Sequence, residues 1–237
     1  MKISFVLIAA TILLFTPNAQ ADWVEDAVKQ IRADYNATEN ASLAKKHIKL
    51  DDGPEVAELT KYYKDESLVK MVFTSGGDHG TATNQYYFKN GQLYFIFQSQ
   101  GYWSFNPNGP EGTTIDTGRE KRIYLKGGKV VRHLVKEVSS HDPNAINKLL
   151  AKAPNEPTND PEAAMGLSNA GYRLLNVNSS KQLEDYLYHE SRLSLEFHRI
   201  EVGLHEMKPE TSGSVFLEWL AACPFHFFRN RVPRQRF

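Results

Sequence analysis

Tyr86-Tyr87-Phe88-Lys89-Asn90-Gly91-Gln92-Leu93-Tyr94-Phe95-Ile96-Phe97 decides the fold. Two aromatic-rich runs flank Asn90-Gly91, and both of these residues accept the positive φ that a two-residue type I′ turn requires. The segment therefore predicts a β-hairpin. Its arms are apolar at successive positions, so both pleat faces need cover.

Moving outward, further strands are expected over Glu55–Tyr63, Leu68–Thr74, Glu120–Leu125 and Lys129–Glu137, with Thr83–Phe88 and Gln92–Gln98 as the hairpin arms. Lys64-Asp65-Glu66, Gly76-Gly77-Asp78 and Lys126-Gly127-Gly128 punctuate them as turns. Connections this short join antiparallel neighbours, because parallel pairing needs a long crossover. Upstream, Val24, Ala27, Val28, Ile31 and Tyr35 make one apolar stripe at helical spacing. Asn36–Lys49 is polar and ambiguous. The expected class is α+β: an antiparallel meander of about six strands with an N-terminal helix packed on it and a C-terminal helical segment.

Ser99–Gly118 reads as a long break in the meander. It carries Tyr102, Trp103 and Phe105 with Glu111 and Asp116. Long loops in compact domains tend to be functional, and rigid aromatics suit binding surfaces. These five residues are the candidate ligand-binding set; packing of Tyr102 and Trp103 over the sheet end is the bland alternative.

Beyond the sheet, Asp142-Pro143 has the form of an N-cap followed by proline, opening a short helix through Ile146, Leu149 and Leu150. The expected map is a signal peptide over 1–21, a helix-plus-sheet domain over 22–152, a linker over 153–178, a helix over 179–208 and a tail over 209–237. Ser179 with Gln182 fits a capping box. The tail couples an apolar run around Trp219 to Arg229, Arg231, Arg234 and Arg236, and with the helix before it offers a surface for self-association.

Catalytic and metal-binding patterns are weak. His198, Glu201 and His205 share a helical face but lack the spacing of a metalloprotease motif. Gly76-Gly77-Asp78-His79-Gly80, with Ser75 or Ser99, supports the alternative of a cell-envelope hydrolase, although a glycine turn explains the same residues. No cofactor motif is present: there is no phosphate loop, dinucleotide fingerprint or paired-cysteine site. The charges balance, with 28 Lys+Arg against 28 Asp+Glu, so no global field draws the chain to nucleic acid. The single cysteine, Cys223, excludes an internal disulfide.

The hairpin Tyr86–Phe95, with Glu120-Lys121-Arg122-Ile123-Tyr124 and Lys129-Val130-Val131-Arg132, resembles hairpins of small exported bacterial proteins of unknown function. The resemblance covers at most residues 22–137. It implies a periplasmic sheet domain and carries no catalytic residue across. Together these readings lead to an expectation of an exported, non-enzymatic binding protein for an unknown protein or envelope component, with no transmembrane span.

Met1–Ala21 carries the export signal: Lys2, an apolar run over Ile3–Phe15, and Ala19-Gln20-Ala21 as a small-x-small site. Mass spectrometry of the protein from its native host is expected to find the mature N-terminus at Asp22. A mature product retaining Met1 contradicts that reading.

Overall fold

The computed structural model describes residues 17–50 and 56–190. Helix α1 (Pro17–Glu39) is followed by strands β1 (Ala44–Lys49), β2 (Val56–Lys64), β3 (Ser67–Gly77), β4 (Gly80–Lys89), β5 (Gln92–Phe105), β6 (Thr114–Lys126) and β7 (Lys129–Ser140). A 3₁₀ turn (Pro143–Ala145), α2 (Ile146–Lys152), the two-residue β8 (Glu156–Pro157) and α3 (Pro161–Leu174) complete the ordered list, and residues 180–190 are helical. The sheet order is β1 to β8 in sequence, every neighbour antiparallel. The α+β meander with an N-terminal helix is as expected, but it has eight strands where about six were read.

The two missed strands lie at the edges. β1 is Ala-Lys-Lys-His-Ile-Lys, with one buried residue, Ile48; its lysines hide the strand period and also guard an open sheet edge. β8 spans two residues and contains Pro157, so sequence patterning has nothing to detect. Residues 153–178, expected to be a linker, hold β8 and α3, whose Ala164, Gly171 and Leu174 are buried. The helix over 179–208 is described only to Glu190; the rest of it and the 209–237 tail lie outside the described residues.

Turn chemistry behaves as the residues dictate. Asn90 and Gly91 have φ of 52° and 74°, the paired positive values of a type I′ turn. Asp65 and Glu66 take the same form at 47° and 65°, at the greater cost non-glycine residues bear there. Caps also follow the sequence. Asp142 accepts from Asn144 N at 3.0 Å, and Ser179 Oγ accepts from Gln182 N at 3.3 Å. The Gln182 side chain reaches back to Asn178 N at 2.7 Å.

The sheet is covered on both faces. On one, Val28 and Ile31 of α1 pack with Tyr87, Tyr94, Phe95 and Tyr124. Glu39 ends α1 where the helix dipole disfavours an acid, and Lys70 offsets this with a 2.7 Å ion pair while lying over the Tyr87 ring. On the other face, Leu59, Met71, Phe73, Tyr86, Ile96 and Ile123 meet Leu174, Leu183 and Tyr186. Each such burial contributes on the order of 1.5–3 kcal/mol.

α3 lies against Tyr86 so closely that a Cβ on Gly171 would fall 2.6 Å from the ring. Gly171→Ala is therefore expected to destabilise the protein by roughly 1–3 kcal/mol, because α3 must lift off the sheet. A urea midpoint unchanged from the parent would contradict this packing.

Candidate functional site

The expected break at 99–118 is in fact a long hairpin. β5 continues to Phe105 and β6 begins at Thr114, leaving residues 106–113 as the tip. The reason is register: Trp103 pairs with Asp116 and Phe105 with Thr114, so residues 99–105 and 114–118 of the stretch read as loop have pairing partners. Strand alternation then places Trp103, Phe105 and Asp116 on one face and Tyr102 on the other. Glu111 sits exposed in the tip.

Trp103 is held from several directions. Its ring stacks on His79 at 4.2 Å, its Nε1 donates to the Asp78 carbonyl at 2.9 Å, and its backbone N–H donates to the His79 carbonyl at 3.0 Å. Phe105 stands edge-on to Trp103 at 5.6 Å and is 66% exposed. Opposite Tyr102, Gly80 passes so close that a Cβ would lie 2.3 Å from the Gly101 carbonyl oxygen. That contact, with φ of +156°, requires glycine. His79, read as part of the hydrolase alternative, thus belongs to the aromatic array. Ser75 pairs with Ala82 and Ser99 with Thr83, which puts the two serines on opposite faces of the sheet.

A second cluster escaped the sequence reading. On the α3 side, cross-strand pairing aligns Asn84, Gln98 and Lys121 in one row and Gln100, Arg119 and Glu137 in the next. Asn84, Gln98, Gln100, Arg119 and Lys121 are all buried. Gln98 Nε2 donates to Asn84 Oδ1 at 2.7 Å, and Arg119 pairs with Glu137. No sequence signal distinguished this row, because Glu120 and Arg122 on the opposite face are charged as well.

Two buried bases complete the picture. Lys61 Nζ donates to Leu175 O at 2.7 Å and Asn178 Oδ1 at 3.2 Å, placing a cation at the C-terminal end of α3. Burial, and then the charge of Lys46, bring its pKa down to about 8. His133 is buried beside Ile123 in the cross-strand register. Burial first, and the Lys121 charge second, hold its imidazole below the ordinary value, while nearby Asp160 opposes the shift.

Among the described residues no group of three His, Cys, Asp or Glu side chains is placed to hold a metal. His198, Glu201 and His205 lie outside those residues. No described helix is long and apolar enough to cross a membrane. Compared with protein-family models, with curated proteins and with solved structures, the chain matches none.

His133 makes stability depend on pH in a definite direction. Its folded pKa is depressed, so the unfolded chain takes up a proton first as pH falls through about 6.5. The stability contribution is complete above that value and is lost as pH falls towards the folded pKa. Urea midpoints between pH 7.5 and 5 are expected to drop more steeply for the parent than for His133→Leu. Parallel slopes would remove His133 from the account.

Proposed function

We propose that the chain is an exported, non-enzymatic binding protein that engages a protein or other envelope component through the aromatic end of the β5–β6 hairpin. The observation that carries the reading is Phe105. It is a large apolar side chain left 66% exposed, yet braced edge-on against a tryptophan that is itself stacked and hydrogen-bonded. A rigid aromatic anchor loses little entropy when a partner covers it. Asp116, across from Trp103 in the register, adds an acidic residue on the same face of the sheet.

The export part of the proposal is compatible with how α1 packs. Among the α1 residues whose side chains are described, those buried against the sheet are Ala27, Val28 and Ile31, and all of them follow Ala21.

The test is a photocrosslinking residue placed at position 105 in the native host, with position 129 at the opposite end of the sheet, outside any cleft lining, as control. Discrete adducts at 105 and none at 129 are expected. No adduct at 105, or equal labelling at both positions, would overturn the proposal.

A further inference from the structure

The opposite end of the sheet holds a cleft that arises from the strand pairing itself. β3 and β4 pair only as far as Lys70 and Tyr87. Beyond that point β3 continues with β2, pairing Leu68 with Tyr63 and Ser67 with Lys64. β4 likewise continues with β5, pairing Phe88 with Leu93 and Lys89 with Gln92. Each of these outer ladders carries a register shift at the divergence, at Tyr62/Tyr63 and at Tyr87/Phe88. Bulges bend and twist a strand pair, so the two hairpins splay apart. An open cavity of about 640 Å³ lies there, between the C-terminal part of α1 and the two hairpin turns. Its size falls in the range of small-molecule sites, about 300–1,000 Å³.

We propose that this cleft binds an uncharged, largely apolar small molecule that carries one O–H or N–H donor. Leu43, Leu68, Val69, Phe88 and Leu175 supply apolar lining, which rewards a hydrocarbon or aromatic body. The charged lining residues cancel: Lys64 and Lys89 stand against Asp34 and Asp65, and Lys89 already bonds Asp34 at 2.8 Å. A charged ligand would lose water without a net counter-charge to replace it.

The donor requirement follows from a proton count. Thr38 Oγ1 lies 3.0 Å from Asp34 O, a carbonyl that only accepts, so the Thr38 proton is used there. The 3.3 Å contact between Thr38 Oγ1 and Tyr94 Oη must then take its proton from Tyr94. Both residues line the cleft, and with their protons committed the two hydroxyls have only lone pairs left to offer. Burial first, and the Asp34 and Glu39 charges after it, push the Tyr94 pKa up, so the phenol keeps its proton. Donors fit; carboxylates and sulfonates do not.

This site is independent of the Phe105 end. β5 is 14 residues long, with Gln92 beside the cleft and Phe105 at the other terminus, so the two are separated by roughly 40 Å.

The test uses the full-length protein and two dyes that differ by one sulfonate. N-phenyl-1-naphthylamine is uncharged and has a single N–H; 8-anilinonaphthalene-1-sulfonate adds a negative charge to the same rings. Saturable fluorescence enhancement is expected with the neutral dye, and binding roughly tenfold weaker or worse with the sulfonate. Ala41→Trp fills the cleft and should weaken the neutral dye by a similar factor of about ten. Ser67→Trp, from another wall, serves if the first variant does not melt cooperatively. Tyr94→Phe, which removes lone pairs and leaves the ring, should cost roughly threefold to tenfold. Phe105→Ala should titrate like the parent whatever becomes of the partner-binding proposal. Equal affinity for both dyes, insensitivity to the tryptophan variants, or loss of binding in Phe105→Ala would each overturn the assignment.

Discussion

The rest of the structure depends on the β4–β5 hairpin having two apolar faces. Tyr86 and Tyr87 are successive residues, each 0% exposed, and they point to opposite sides of the sheet. A sheet with one wet face would leave one of them in water, so helices are required on both sides. The chain meets this by sending α1 to one face before the meander begins and α3 with residues 180–190 to the other after it ends. Burial without ionisation suits both phenols: desolvation raises both pKa values, and Tyr87 donates to Gln85 Oε1 at 2.7 Å.

The meander was legible because turn chemistry and strand period agree where the chain is apolar. Asn90-Gly91 and Gly127-Gly128 have positive φ, as their residue types allow. Legibility failed where one cue was missing. Residues 99–118 read as loop because Pro107, Asn108, Gly109, Pro110 and Gly112 outweighed pairing that is set across the hairpin and not along the chain. α3 was lost differently. Asp160-Pro161 repeats the Asp142-Pro143 signature, and Asp160 does cap its helix, accepting from Ala163 N at 2.9 Å. The three prolines at 154, 157 and 161 drew the whole stretch into a linker, although proline after a capping acid, as at Asp160-Pro161, opens a helix.

The candidate sites were less legible for a reason of geometry. Trp103, Phe105 and Asp116 were singled out by residue type, and the register does place them on one face. The role of His79 depends on a turn from a different hairpin reaching the Trp103 ring, which sequence proximity does not encode. The two buried polar rows, Asn84–Gln98–Lys121 and Gln100–Arg119–Glu137, are harder still. β6 alternates Arg119, Glu120, Lys121, Arg122, charged on both faces, so period-two reasoning has no apolar face to find. The Asn84–Gln98 amide bond and the Arg119–Glu137 ion pair offset part of the cost of burying these groups, because a buried polar group without a partner is costly.

The splay of β3 from β4 is the counterpart of the tight middle of the sheet. Two-stranded ribbons twist more strongly than strands inside a wide sheet. Where α3 and α1 press on Tyr86 and Tyr87, packing holds the β2–β3 and β4–β5 hairpins in one surface, and the ladder between them is continuous up to Lys70 and Tyr87. Past Lys70 and Tyr87 each hairpin follows its own twist, assisted by its own bulge, and they part. The strain at Asp65 and Glu66 belongs to the same end: a tight type I′ turn of non-glycine residues keeps the β2–β3 arm paired to its tip while its other neighbour is lost. The opening is thus set by backbone pairing, and the side chains along its walls decide what fits inside.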